Sequence, residues 1–240
     1  MSQPALPARP LEASVIVCAY TEARWDALRA AVQSLRSQTV QPAEVIVVID
    51  HNLRLLEQAR QALKGARVVE NSHARGLSGA RNTGAELARG EVVAFIDDDA
   101  CAAPDWLERL LAGYTNEAVI GVGGAILPEW AGARPAWFPS EFDWVVGCTY
   151  RGLPLGRAPV RNLIGANMSL RRSVFAGVGG FSSEVGRVAK LPAGCEETEL
   201  CIRAGQKWPA AVILYDPAAQ VRHHVPAERA NWRYFTARCV

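Results

Sequence analysis

Three aspartates in a row, Asp97-Asp98-Asp99, follow directly on the apolar run Glu91–Ile96 (EVVAFI). Adjacent carboxylates repel one another and raise each other's pKa unless a cation compensates. If the extended geometry of the run persists, the first and third aspartates point the same way. Asp97 and Asp99 can then converge on one hard metal ion. Oxygen ligands suit Mg²⁺ or Mn²⁺, and Mg²⁺ commonly combines one or two carboxylates with substrate phosphates. The same triplet also reads as a solvated acidic turn.

Three further groups could join such a centre. In Arg75-Gly76-Leu77-Ser78-Gly79-Ala80-Arg81-Asn82, small residues let a ligand approach the backbone, and a helix N-terminus favours anions. Arg75 and Arg81 would add charge-assisted contacts to phosphate, although taken alone an ordinary helix start is the plainer reading. Glu196-Glu197-Thr198-Glu199 opens another helix. Glutamates there compensate the helix dipole, or one of them, partly desolvated, serves as a general base with its pKa moved towards neutrality. His223-His224 follows a strand-like run and suits a metal ligand, a surface residue or a core residue.

Elements must bring these groups together. Between residues 14 and 126 strands alternate with helices: strands at 14–19, 44–49, 67–70, 91–96 and 119–126, helices at 24–36, 53–63, 77–88 and 105–113. Pro104 precedes the last of these helices, at a position where its missing N–H costs least. The apolar runs are continuous rather than alternating, so the strands are covered on both faces and the sheet is mostly parallel. That is a Rossmann-like, doubly wound α/β architecture, whose ligands sit beyond the carboxyl ends of the strands. Tyr20, Glu22, Asp50, His51 and Asp97–Asp99 all fall there.

After Pro128 the composition changes. Trp130, Trp137, Phe138, Phe142, Trp144 and Tyr150 cluster among prolines and glycines. A smaller second region follows: a strand-like 163–170, a Gly-rich turn at 177–180, an irregular 182–194 and a helix from about 196 to 205. Strands near 212–215 and 220–223 lead to a final helical stretch reaching Val240, which leaves room for a continuation of the chain.

The bulk properties narrow the function classes. With 240 residues and a formal net charge of only +2, no basic face speaks for nucleic acid. The Pro- and Ala-rich start, residues 1–12, reads as a loose leader without the apolar run of a signal peptide. No stretch approaches the roughly 18 uncharged apolar residues of a membrane span, so a soluble, cytoplasmic protein is expected, with peripheral membrane contact still open. The six cysteines form no CxxC pair, and zinc or redox motifs are unsupported.

Taken in order, these segments resemble the family 2 glycosyltransferases of the GT-A fold. The matching positions are Ala19-Tyr20-Thr21-Glu22, Asp50, Gly76–Asn82, Phe95–Asp99, Gly165–Arg172, Val178–Phe181, Glu196-Glu197-x-Glu199-Leu200-x-x-Arg203 and Asp216-Pro217 with Val221-Arg222-His223. The resemblance covers about residues 12 to 235. It implies an inverting, metal-dependent, non-processive transfer of a sugar from a nucleoside-diphosphate donor, with uridine the commonest base. It divides the chain into a nucleotide-sugar-binding half, 13–127, and an acceptor-binding and catalytic-base half, 128–240, of one GT-A domain.

By the same resemblance Tyr20, Glu22, Asp50, Arg75, Gly76, Ser78, Arg81, Asp97 and Asp98 face the donor. Asp97, Asp99 and His223 hold Mn²⁺ or Mg²⁺, and Glu197 is the base. Asn167 and Glu196 lie on the side of an acceptor, which is a small molecule, a lipid-linked sugar or a peptide. Trp144, in the aromatic segment 130–150, suits an acceptor platform because Trp and Tyr join an apolar face to a polar handle, and equally a hydrophobic minidomain or a dimer contact. Two departures stand out: Asp50-His51-Asn52 replaces the family's Asp-Asp-Gly-Ser, and Glu196-Glu197 replaces Glu-Asp. A Gln-x-x-Arg-Trp signature of processive synthases is missing. The competing readings are a nucleotidyltransferase of similar fold and a non-catalytic sugar- or nucleotide-binding module. The first would want a Gly-rich basic loop where Tyr20-Thr21-Glu22 stands.

Overall fold

The computed structural model describes residues 11–185 and 195–239. Most of the expected leader and most of the irregular segment 182–194 lie outside the described residues. The amino-terminal half follows the apolar pattern closely. Strands β1 (Ala13–Ala19), β2 (Glu44–Ile49), β3 (Arg67–Glu70) and β4 (Val92–Asp97) alternate with helices α1 (Trp25–Arg36), α2 (Leu53–Ala62) and α3 (Leu77–Leu87). β1 to β4 pair in parallel in the order β3-β2-β1-β4.

Side chains alternate across the sheet into two cores, which is why the runs are apolar throughout. Val15, Val17, Val45, Val47, Ala94 and Ile96 pack against α1, α2 and α4 (Trp106–Leu111). Ile16, Ile46, Val48, Val93 and Phe95 pack against α3, α5 (Arg172–Val178) and α6 (Glu196–Lys207). Burying a side chain of this kind contributes roughly 1.5–3 kcal/mol, so the two cores fix the strand ends firmly.

The rest of the sheet continues as β4-β8-β6-β9-β5. Strand β8 (Asn167–Arg171) runs antiparallel between β4 and β6 (Val119–Trp130), and β6 pairs in parallel with β9 (Val212–Val225). The two short strands expected near 212 and 220 are thus one strand. Its register jumps from Gly124↔Asp216 to Ala125↔Gln220, a bulge at residues 217–219. Gly124 permits that bulge, because a Cβ there would stand 1.8 Å from the Ala219 carbonyl oxygen.

Three elements differ from the sequence pattern. β8 begins at Asn167 rather than 163, and α5 occupies residues ahead of the Gly-rich turn. β5 (Ala100–Ala102), a strand of three residues, follows the aspartates and pairs antiparallel with β9, setting Ala100 opposite His223. β7 (Ala158–Pro159) pairs antiparallel with β9 at Tyr215 and Leu214. Helix α7 (Trp232–Cys239) lies against the 3-10 turn Ser140–Val146, where Trp137 stacks on Trp232 at 4.3 Å and Phe138 and Phe142 meet Phe235.

Candidate active site

The three aspartates straddle the end of β4 and the turn into β5. Because β5 pairs with β9, the Asp99 carbonyl accepts a hydrogen bond from the His224 N–H at 2.8 Å. That bond swings His223 over the carboxylates. Ligand atoms of Asp97, Asp99 and His223 all lie within 4.8 Å of one another. His223 Nε2 stands 3.1 Å from Asp99 Oδ1, yet Oδ1 is buried with no aligned hydrogen-bond partner, and so is Asp98 Oδ2. A buried carboxylate oxygen left unpaired is costly, and two carboxylates with an imidazole form a suitable donor set for Mn²⁺ or Mg²⁺. The residues present fit such an ion.

Arg24, from the 3-10 turn Glu22–Arg24 after β1, also reaches the aspartates. Its Nη1 is 2.9 Å from Asp98 Oδ1 and 3.1 Å from Asp99 Oδ2. Burial works against the Arg24 charge, but Asp99 and Asp98 outweigh it and hold the guanidinium protonated. The aspartates respond differently. Burial drives Asp98 up to about 7 against the pull of Arg24. For Asp99, burial is overcome by His223 and Arg24, and its pKa falls to about 2.

A cleft of about 550 Å³ opens beside this centre, lined among others by Tyr20, Arg24, Asp50, Arg75, Gly76 and Asp97. Tyr20 is exposed, with Arg24 over its ring at 5.8 Å. Asp50 is tightly held: Oδ2 accepts from the Gly76 N–H at 2.9 Å and Oδ1 from Asn71 Nδ2 at 2.7 Å. It therefore ties β2 to the start of α3. Arg75 donates to the His51 carbonyl at 3.1 Å. Glu22 accepts from Asn52 Nδ2 at 2.9 Å, and Asn52 also caps α2 and donates to the Tyr20 carbonyl. Glu22 thus locks the two loops together, and that hydrogen bond lowers its pKa. Ser78 sits buried in the first turn of α3.

A second, smaller hollow of about 80 Å³ lies against Arg24, Asp97, Asp99 and His223, and is closed by Arg229 and Tyr234. It joins the metal-type cluster to the carboxyl-terminal helix.

Arg81 lies beneath the cleft floor rather than on it. It is 3% exposed, and its Nη1 pairs with Glu196 Oε1 at 2.8 Å while Nη2 stands 3.4 Å from Asp97. Glu196 is thereby consumed in a buried ion pair. Gly165 packs flat on the guanidinium, where a Cβ would fall 2.5 Å from Nη2. The Gly165 N–H in turn makes a long contact of 3.4 Å with Glu197 Oε1. Half-buried Glu197 is connected to the metal-type cluster through Gly165, Arg81 and Asp97. Burial and then the neighbouring Glu196 raise its pKa, and Arg81 offsets only part of that.

Two further residues sit apart from this centre. Asn167 is buried, and its amide is spent on Trp106 Nε1 and the carbonyls of Ala125 and Ala219 at 2.8–2.9 Å. Trp144 is partly exposed beside Phe142 on the 3-10 turn that supports α7. Sequence reasoning did not find Arg24, and no motif around it could have revealed a contact made only in the fold.

Comparison with known proteins places the chain in a family and a fold. Residues 14–179 match the family model described as glycosyl transferase family 2. A glucosyl-dolichyl phosphate glucuronosyltransferase of Haloferax volcanii is 36% identical over 95% of this chain and 74% of its own length. The succinoglycan biosynthesis protein ExoM of Rhizobium meliloti is 26% identical over 97% of this chain and 73% of its own. Among solved structures, GalNAc-T7 with UDP, GalNAc and Mn²⁺ superposes with a TM-score of 0.69 at 20% identity, over 91% of this chain and 45% of that one. That likeness establishes a GT-A type of fold.

Proposed function

The chain belongs to glycosyltransferase family 2, and from that membership we propose an inverting transfer of a sugar from a uridine diphosphate sugar to an acceptor hydroxyl, dependent on Mn²⁺ or Mg²⁺ at Asp97, Asp99 and His223. The observation that carries the reading is the convergence of those three ligand groups at the edge of the nucleotide-sized cleft. Membership of a glycosyltransferase family sets aside the nucleotidyltransferase and the non-catalytic binding module.

In this reading Tyr20, Asp50 and Arg75 line the nucleoside end of the cleft, and Gly76, its N–H held by Asp50, lets the phosphates approach the first turn of α3 at Ser78, a helix N-terminus that favours anions. The ion, when bound, offsets negative charge growing on the departing diphosphate. Asp99 and His223 supply ligand atoms, and Asp97 adds a carboxylate at the cleft side. Glu197 accepts the proton of the acceptor hydroxyl as its oxygen bonds to the anomeric carbon and the bond to the diphosphate oxygen breaks. A raised pKa suits that task, because a base near the working pH both accepts a proton and is mostly available. Glu196 keeps Arg81 in place beneath the reacting groups.

The name of the Haloferax relative pairs a glucuronosyl donor with a lipid-phosphate-linked glucose. It supports an acceptor of the same class here, a sugar carried on a lipid phosphate. Among the described residues no helix is long and apolar enough to cross a membrane. The six free cysteines fit a reducing, cytoplasmic setting.

The experiment is a panel of nucleotide sugars, UDP-glucuronic acid and UDP-glucose included, assayed with Mn²⁺ for release of the nucleoside diphosphate. Release from a UDP sugar that stops with EDTA and with Asp99→Ala is the expected result. Metal-independent release, or release from other nucleotides only, would overturn the metal or the base component respectively.

A further inference from the structure

Among the described residues Arg24 is the one cation paired with two of the three aspartates. Its Nη1 bridges Asp98 Oδ1 and Asp99 Oδ2 at 2.9 and 3.1 Å, and the residue lines both the donor cleft and the small hollow at His223. Asp99 therefore uses its two oxygens differently: Oδ2 meets the Arg24 guanidinium, and Oδ1 faces His223 and the ion position. A resident guanidinium so close repels any incoming divalent ion by direct Coulomb interaction. It also stands where negative charge on a donor diphosphate would be welcome.

We propose that Arg24 is a tethered counter-cation that couples the two ligands: it keeps divalent-ion affinity low while the cleft is empty and releases that restraint when a nucleoside diphosphate arrives to engage it. This rests on the metal reading given above. A donor-free enzyme then holds its aspartates compensated, without the unpaired repulsion that a bare triplet would suffer. When the diphosphate enters, its oxygens supply both ion ligands and a partner for the Arg24 guanidinium. Metal and donor therefore bind together more tightly than either alone, and the coupling is reciprocal by linkage. Arg24 acts here as a positioning and specificity-determining residue, through charge rather than through contact with the reacting carbon.

The test is Mn²⁺ titration followed by electron paramagnetic resonance of the free ion, with and without UDP or GDP, on wild type, Arg24→Gln and Arg24→Lys. Removing a full charge next to a divalent ion changes affinity by roughly tenfold or more even with strong solvent screening. Arg24→Gln should bind Mn²⁺ at least about tenfold tighter than wild type without nucleotide, with a smaller gain on adding UDP. Arg24→Lys should stay close to wild type. Unchanged or weaker nucleotide-free binding in Arg24→Gln would overturn the proposal, because a residue that merely orients Asp99 can only lose affinity when removed. A lysine variant as tight as the glutamine variant would also overturn it, since charge would then be irrelevant. Circular dichroism of each variant confirms that the comparison is between folded proteins. If wild type takes up no Mn²⁺ with either nucleotide, the metal reading itself fails and takes this inference with it.

Discussion

His223 Nε2 lies 3.1 Å from Asp99 Oδ1, although Asp99 sits in the turn between β4 and β5 and His223 lies far along the chain on β9. The short strand β5 makes the meeting possible by pairing Ala100 with His223. Behind the ring, Nδ1 faces Cys148 Sγ at 3.7 Å, which holds the imidazole with Nε2 turned to the carboxylates.

Replacing His223 by Ala should therefore weaken the site while leaving the sheet intact. Loss of a group that ligates or orients at a metal centre typically costs 10–100-fold in affinity or activity. The Mn²⁺ concentration needed for half-maximal activity should rise by about tenfold or more, measured in metal-depleted enzyme. An unchanged metal requirement would place the ion away from His223.

Glu197 is the second target. Glu197→Gln keeps the size of the side chain and removes its ability to take a proton, so kcat should fall by roughly 10²–10⁴ while the UDP-induced thermal shift stays. The wild-type pH profile carries the sign. Burial beside Glu196 raises the Glu197 pKa above the ordinary 4.5, and the base works only when ionised. The acid limb of kcat should lie above that ordinary value, with activity lost as pH falls through the raised pKa. A limb at or below it would indicate a different base.

The parallel half of the fold was readable because two buried faces leave continuous apolar strands separated by helical spacing, as in EVIVVI and EVVAFI. β5 was not, since three residues (Ala100-Cys101-Ala102) carry no period, and only pairing with β9 makes them a strand. Likewise β9 read as two pieces because the bulge at 217–219 interrupts its pattern. At the site, Asp97, Asp99 and His223 were suggested by residue type and family order. Polarity alone could not tell that Asn167 braces Trp106 or that Glu196 is spent on Arg81. Those pairings arise from long-range packing, as does the contact of Arg24 with the aspartates.

Asp50 offers a prediction in which binding and structure can be separated. Its Oδ2 receives the Gly76 N–H and its Oδ1 receives Asn71. Asp50→Asn keeps the shape but replaces one acceptor oxygen by an NH₂ group, so one of these contacts is lost or reversed. A charge-assisted hydrogen bond contributes about 1.5–3 kcal/mol, and the donor KM should rise by roughly tenfold or more. The acceptor KM should hardly move. Equal changes in both constants would show that the substitution disturbs the whole cleft and that Asp50 has no particular link to the donor.

The buried pair Arg81–Glu196 yields a stability prediction with an internal control. Both side chains are almost fully enclosed, 4% and 6% exposed, at 2.8 Å. Removing one partner of such a pair strands a charge in the interior, a loss of about 3–5 kcal/mol. Arg81→Met leaves Glu196 uncompensated and also removes the contact with Asp97. Glu196→Gln leaves the guanidinium one carboxylate short, with Asp97 still at hand, so it should cost less. In the double variant neither member of the pair leaves a charge behind, so part of the loss should be recovered relative to Arg81→Met. Urea unfolding of the three variants gives the coupling energy directly, and additive losses would mean that the two residues do not act as a pair.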